Sequence, residues 1–403
     1  MGASETFSSL KYPNYRLWFT GQTISMFGSW MQITALGFLV YQLTGSSLYL
    51  GYMGFATGVP ALLLTLLGGV YADRVHRRSL LVLTQGSMAL LAFALAYLTF
   101  SGEVEVWHVF VIGILNGVAN AFDAPCRKSF IIEMVNAKDA TNAIALNSVL
   151  YNLSMATGPA AAGVVFALFG PAWCFLINGI SFVAVIVALI RMRGLKFHPV
   201  TSHTVSADLA ELFYFMKKNR MVVVLLAMVS LLVVMDQSLI TLLPAWSVTV
   251  LNGDATTNGL LQSAKGAGAL IGAFAIAALS HFKFRGRILF IGVLYLPLAL
   301  TAFAVAPDLL YAMLGLAMLY FVRMILIDTD VSVMIDRTPN LLRGRIMSMH
   351  SLVIFGVMPF ASLLAGWLAE KVGERQTILI IGLTVCTLLV TIWLREPRLR
   401  RIA

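Results

Sequence analysis

Asp123, Asp236, Lys265, Arg323, Asp328 and Asp330 stand inside long apolar runs of this 403-residue chain. A charge in such surroundings is costly and is a functional candidate by default. Asp236 lies near the middle of the run 219–250 and Arg323 near the middle of 308–336. At ~1.5 Å per helical residue, Asp236 is about 21 Å from the end near Val250, and Arg323 about 22 Å from the end near Asp308. The two are therefore expected at similar depth. A buried carboxylate resists ionisation and a nearby cation favours it, so such a pair can load and release a proton. Asp236 is the expected protonated group, and Arg323, with Lys265, the group that resets it. Asp328 is the second candidate, with Asp330 beside it. Asp123 and Arg127 are four apart, share one helical face and can pair; there a structural ion pair is expected.

The elements carrying these charges are too apolar for an aqueous core. The chain is 59% hydrophobic and 11% charged, with a mean hydropathy of +0.87, whereas a soluble domain carries about 25% charged residues. Lipid must be part of its solvent. Twelve runs are legible: 14–42, 47–72, 79–101, 105–132, 141–169, 171–192, 219–250, 256–281, 286–306, 308–336, 342–369 and 374–395. Each reaches the ~20 residues that cross a bilayer. In lipid, closely spaced runs of this length must satisfy their own backbone as helices. The expected class is an all-α integral membrane protein with twelve transmembrane helices. The polar first 13 residues suggest no cleaved signal peptide.

All but four of the 28 Lys and Arg fall at the N-terminus, in alternate loops or in the C-terminal tail; the four are Lys265, Arg323, Lys371 and Arg375. The opposite loops carry Glu103, Glu105, Asp254, Asp308, Glu370 and Glu374. Basic residues stay on the cytoplasmic side, so both termini are expected there. The net charge of +10 is spread over loops rather than gathered in a patch or motif, so nucleic-acid binding is not expected. The polar stretch 193–218 reads as a cytoplasmic linker between an N-terminal half, 1–192, and a C-terminal half, 219–403. Its His198 and His203 read as loop residues rather than metal ligands. Cys126, Cys174 and Cys386 lack metal spacing and suggest no disulfide framework.

The halves look related. Pro13-Asn14-Tyr15-Arg16 resembles Lys218-Asn219-Arg220, and Glu133 and Ser148 align with Asp336 and Ser351 at one offset. A parallel repeat of two six-helix halves is an architecture that places a site between them. Between the second and third runs stands Gly69-Val70-Tyr71-Ala72-Asp73-Arg74-Val75-His76-Arg77-Arg78. The small Gly69 lets two helices approach. Asp73 sits at the water boundary, where a carboxylate can accept from arginine or a helix N-terminus. Arg74, Arg77 and Arg78 mark the cytoplasmic side. The loop 281–287 occupies the equivalent place in the second half, with His281 where the acid would be.

Gly-x-x-x-Asp-Arg-x-x-Arg-Arg at this place resembles the signature loop of the major facilitator superfamily, and the resemblance covers essentially the whole chain. A narrower resemblance is to the branch of the enterobactin exporter and macrolide-efflux-like proteins. It is carried by Asn14-Tyr15-Arg16-Leu17-Trp18-Phe19, Leu43-Thr44-Gly45-Ser46-Ser47, Ala143-Ile144-Ala145-Leu146-Asn147-Ser148 and Arg343-Gly344-Arg345-Ile346-Met347-Ser348. Gly158-Pro159-Ala160-Ala161-Ala162-Gly163 looks like a degraded form of the fifth-span antiporter motif, and equally suits a plain proline bend with small neighbours. The arginine of the family's fourth-span motif is absent; Gly113 stands there.

The resemblance implies that spans 1, 4, 7 and 10 line a central cavity. Asp123, Asp236, Arg323, Asp328 and Asp330 all fall on those spans. Span 1 adds the neutral Gln22, Ser25, Ser29, Gln32 and Thr34. Met26, Trp30, Met31, Phe38, Met235, Trp246, Tyr320 and Phe321 would form an adaptable apolar wall. It also implies that Asp73 approaches the start of span 11, near Arg343 to Met347, when the cavity opens outward. The expected function is a secondary exporter of an amphiphilic small molecule, a siderophore or drug-like compound, driven by proton entry and acting as a monomer in a bacterial inner membrane. No cofactor is implied, because no nucleotide loop is present and the ion gradient supplies the energy. Import by the same fold is an alternative. A membrane enzyme acting on lipid would need a nucleophile–base set, and His350 is the one deep histidine, without an obvious triad. A sensor or scaffold would usually add a soluble domain, and 193–219 is too short for one.

Overall fold

Twelve helices long and apolar enough to cross a membrane account for most of the described chain. This computed structural model describes residues 7–194, 219–278, 285–339, 342–396 and 399. The side chains of Leu66, Val70, Asp73, Ala277 and Arg285 lie outside that description. So do the 195–218 linker with His198 and His203, the 279–284 segment with His281, and Arg398, Arg400 and Arg401.

The first six helices are α1 (Pro13–Thr44), α2 (Ser47–Arg74), α3 (Arg77–Phe100), α4 (Val106–Glu133), α5 (Ala140–Phe169) and α6 (Pro171–Arg191). The other six are α7 (Arg220–Thr249), α8 (Ala255–Ala278), α9 (Arg285–Ala304), α10 (Leu309–Asp336), α11 (Arg343–Val372) and α12 (Glu374–Arg395). Each matches an expected run to within a few residues. Two single turns of 3-10 helix, Ser8–Lys11 and Ala137–Asp139, precede α1 and α5.

Local chemistry sets the breaks. Gly170 ends α5 at φ +90°, a conformation other residues avoid, and Pro171 begins α6 with φ already helical. Gly373 repeats this between α11 and α12, at the offset that relates Glu133 to Asp336. Glu105 and His108 cap α4 reciprocally, and Asp308 accepts from Tyr311 N at 3.1 Å to start α10.

The chain divides into two units, residues 1–44 with 56–202 and residues 45–55 with 203–403. In the first, α1 packs on α5 and α6, and α3 on α4 and α6. In the second, α7 packs on α11 and α12, and α9 on α10 and α12. The same pairing in each unit is the structural form of the internal repeat. The first turns of α2, Gly45–Phe55, group with the second unit rather than with residues 56–202.

Lipid is as apolar as leucine, so packing between such helices depends on close fit. In the first unit Trp18 meets Phe130 edge-on at 5.4 Å between ring centres. In the second, α8 lies so close to α10 that a side chain at Gly268 or Gly272 would strike the carbonyls of Ala317 or Phe321. That approach brings Lys265 on α8 beside the polar residues of α10.

Candidate functional site

Asp236 on α7 is held from α10 by two donors. Arg323 Nη2 donates to its Oδ2 at 2.7 Å, and the Tyr320 hydroxyl donates to its Oδ1 at 2.5 Å. Three residues separate the donors, which places both on one side of α10. Lys265 Nζ lies 5.7 Å from the centre of the Tyr320 ring, and the Arg323 guanidinium lies 5.4 Å from it. Asp236 is 8% exposed and Lys265 2%. Two cations and one carboxylate thus share a buried site around one aromatic ring, which spreads charge over its faces.

The structure brings Asp236, Arg323 and Lys265 together within the second unit. It also changes the role of Tyr320, expected as apolar wall: its hydroxyl completes the carboxylate's hydrogen bonding. Its spacing from Arg323 was the available signal. Trp246 and Met235, also expected on that wall, are buried packing residues; Trp246 stacks on Phe303 at 4.7 Å.

Asp330 follows Arg323 by two turns on the same side of α10 and is 1% exposed. Neither of its carboxylate oxygens has a hydrogen-bond partner among the described residues. Asp328 is half-buried and lies off that side.

A seam runs from the Asp236 level to the far end of the second unit. Gln237 donates to Ser362 Oγ on α11 at 2.8 Å. Ser362 touches Gly54, and Gly51 lies against Gly366 with no room for a side chain on either. At the end, Glu370 accepts from Ser46 Oγ at 2.8 Å and from Leu48 N at 3.3 Å. Glu374 accepts from Ser47 Oγ at 2.7 Å and Thr249 Oγ1 at 3.0 Å. Two carboxylates therefore cap the N-terminus of α2, where the helix dipole favours them. Sequence reasoning placed both acids in outer loops and gave them no partner, because the pairing spans more than 300 residues.

In the first unit, Asp123 is 1% exposed. It accepts from Thr84 at 3.0 Å and Gln85 at 2.8 Å, both on α3, and Arg127 lies 3.6 Å away. Neither Thr84 nor Gln85 was singled out in the sequence, since α3 carried no charge at depth. In the basic turn, Arg77 pairs with Glu133, and Arg78 Nη2 donates to the Ile190 carbonyl at 2.7 Å. The turn thereby ties the ends of α4 and α6. Arg74 is exposed, Gly69 has open space beside it, and the Asp73 side chain lies outside the description. Gly158 before Pro159 packs against Trp30 and the Phe27 carbonyl of α1, and Gly163 is buried on the same helix.

The family described as transmembrane secretion effector matches residues 4–402. The multidrug efflux pump Tap of Mycolicibacterium fortuitum is 26% identical over 389 residues, covering 93% of each chain. The enterobactin exporter of Citrobacter koseri is 22% identical over 335 residues, covering 83% of this chain and 80% of that one. Among solved structures, a peptide transporter of the POT type superposes with a TM-score of 0.77 at 14% identity, over 96% of this chain and 95% of that one. This last likeness shows the fold.

Proposed function

The chain belongs to the transmembrane secretion effector family of major facilitator transporters, and on that premise we propose that it is a proton-coupled exporter of an amphiphilic small molecule working by alternating access. It is a transporter in a bacterial membrane and not an enzyme. The observation that carries the coupling is the contact of Asp236 with both Arg323 and Tyr320 in a buried site.

A proton arriving at Asp236 removes the negative member of that pair. Arg323 and Lys265 are then left as two cations in low dielectric, which favours a rearrangement that rehydrates them. Loss of the proton on the other side restores the pair. The exported molecule is a siderophore or drug-like compound, as the names of the relatives suggest. Both termini lie in the cytoplasm, the transporter works as a monomer, and the proton gradient is its energy source without a cofactor.

Inverted vesicles containing the purified protein test this reading. An imposed gradient, acid inside, is expected to drive uptake of a macrolide or a catecholate siderophore against its concentration. Uptake should stop when a protonophore collapses the gradient. Uptake that ignores the protonophore, or none of either compound, rejects it.

A further inference from the structure

A groove of about 910 Å³ opens on the first unit between α2, α3 and α4. That lies within the ~300–1,000 Å³ typical of small-molecule sites. Leu67, Leu83, Leu90 and Leu115 line it and are all exposed, so in a bilayer they face acyl chains. Of its hydroxyls, Thr84 is engaged with Asp123 and Ser87 with the Leu83 carbonyl at 2.9 Å, while the exposed Tyr71 adds a phenol at the Arg74 end. Arg74 also lines the groove. Among the described residues, Arg74 has no ion pair or hydrogen bond, unlike Arg77 with Glu133 and Arg78 with the Ile190 carbonyl.

Position adds to chemistry. α2 ends at Arg74 and α3 begins at Arg77, which puts the guanidinium at the water boundary. From Leu80 to Leu91, both lining residues, α3 rises about 17 Å. One leaflet of hydrocarbon is half of the ~30 Å core, so the groove is about one leaflet long. A cation with no ion pair among the described residues at one end and an apolar channel of acyl-chain depth match one kind of molecule.

We propose that the groove retains an anionic glycerophospholipid of that leaflet, its phosphodiester on Arg74 and an acyl chain along Leu83, Leu90 and Leu115. A guanidinium fork matches phosphate oxygens with two parallel hydrogen bonds. A zwitterionic lipid brings its own ammonium to the phosphate and leaves Arg74 less fully compensated.

The full-length protein, stripped of lipid in detergent, is titrated with phosphatidylglycerol or phosphatidylcholine of identical chains and read by native mass spectrometry. The wild type is expected to prefer phosphatidylglycerol roughly tenfold, the size of one charge-assisted hydrogen bond. Arg74→Gln should lose that preference. Ser87→Trp, which fills the groove, should weaken both lipids, and inorganic phosphate should not displace phosphatidylglycerol. Equal binding of the two lipids by the wild type, or a preference kept in Arg74→Gln, overturns the site. Arg74 is exposed, so that variant folds and decides the matter even if Ser87→Trp does not.

Discussion

Arg323 reaches across 87 positions of sequence to place its Nη2 2.7 Å from Asp236 Oδ2, joining α10 to α7 inside the second unit. Breaking a buried ion pair from one side leaves the other charge uncompensated, which costs about 3–5 kcal/mol. Removing both charges together leaves no such orphan. Arg323→Gln is therefore expected to lower thermal stability strongly, and Asp236→Asn/Arg323→Gln to recover part of the loss. A double-mutant cycle in detergent measures this. Additive losses would show that the two side chains do not depend on each other.

Tyr320→Phe keeps the ring near Lys265 and Arg323 and deletes only the hydroxyl on Asp236. A hydrogen bond to a charged group contributes about 1.5–3 kcal/mol. The variant should be less stable by about that amount, with Tyr320→Leu worse because the ring is lost as well. Equal stability of Tyr320→Phe and wild type would place the hydroxyl outside the carboxylate's support.

Asp123 is the opposite case: two neutral donors from α3 and a flanking arginine hold it in place. Asp123→Asn retains a carbonyl oxygen that Thr84 and Gln85 can still use. It should reduce stability by about 1–2 kcal/mol and leave gradient-driven transport of the folded protein intact. Loss of coupling at wild-type stability would move the proton site into the first unit.

Sidedness has its own test. Glu103 is an exposed residue between α3 and α4, and Lys138 is an exposed residue between α4 and α5. The native thiols, Cys126, Cys174 and Cys386, are all buried, so background labelling is low. With both termini cytoplasmic, an impermeant maleimide added to whole cells should label Glu103→Cys and spare Lys138→Cys. The reverse pattern inverts the topology. Gly253, in the loop before α8, is a poor probe position because any side chain there would overlap Thr257.

The helices were legible because lipid imposes one rule on every residue of a span, and the rule survives without knowing any partner. Asp236 and Arg323 were legible for the same reason: charge at depth is rare, and rise per residue fixes depth. What chain distance hid was specific pairing. Tyr320 reads as one aromatic among many until α7 is placed beside it. Glu370 and Glu374 read as loop acids until the start of α2 arrives between them. The grouping of Gly45–Phe55 with the second unit was hidden in the same way, since nothing in that stretch differs in composition from the rest of α2.

The seam at α2 makes a further prediction. Glu370 and Glu374 give the first residues of α2 a hydroxyl-and-amide cap. Loss of such a cap costs ~0.5–2 kcal/mol. Glu370→Ala/Glu374→Ala should free this helix end, seen as faster amide exchange at Ser46 to Leu50. Gly366→Val should act more strongly, because its side chain would overlap Gly51 and the Ser47 carbonyl. Unchanged exchange in both variants would show that the seam is not held by these contacts.

The coupling assignment comes down to two carboxylates that differ in what surrounds them. Asp236 has a cation and a hydroxyl in contact, whereas Asp330, two turns along α10 from Arg323, has no hydrogen-bond partner among the described residues. If the proton acts by releasing Arg323, only the first can carry it. Asp236→Asn fixes the carboxylate in its neutral form. In proteoliposomes it should abolish uphill transport driven by an imposed pH gradient and still allow substrate exchange at equal pH on both sides. Asp330→Asn should leave uphill transport within about threefold of wild type, the span of an ordinary ~0.7 kcal/mol perturbation. If Asp236→Asn still drives uphill transport while Asp330→Asn does not, the pair with Arg323 is structural and the proton belongs to α10 alone.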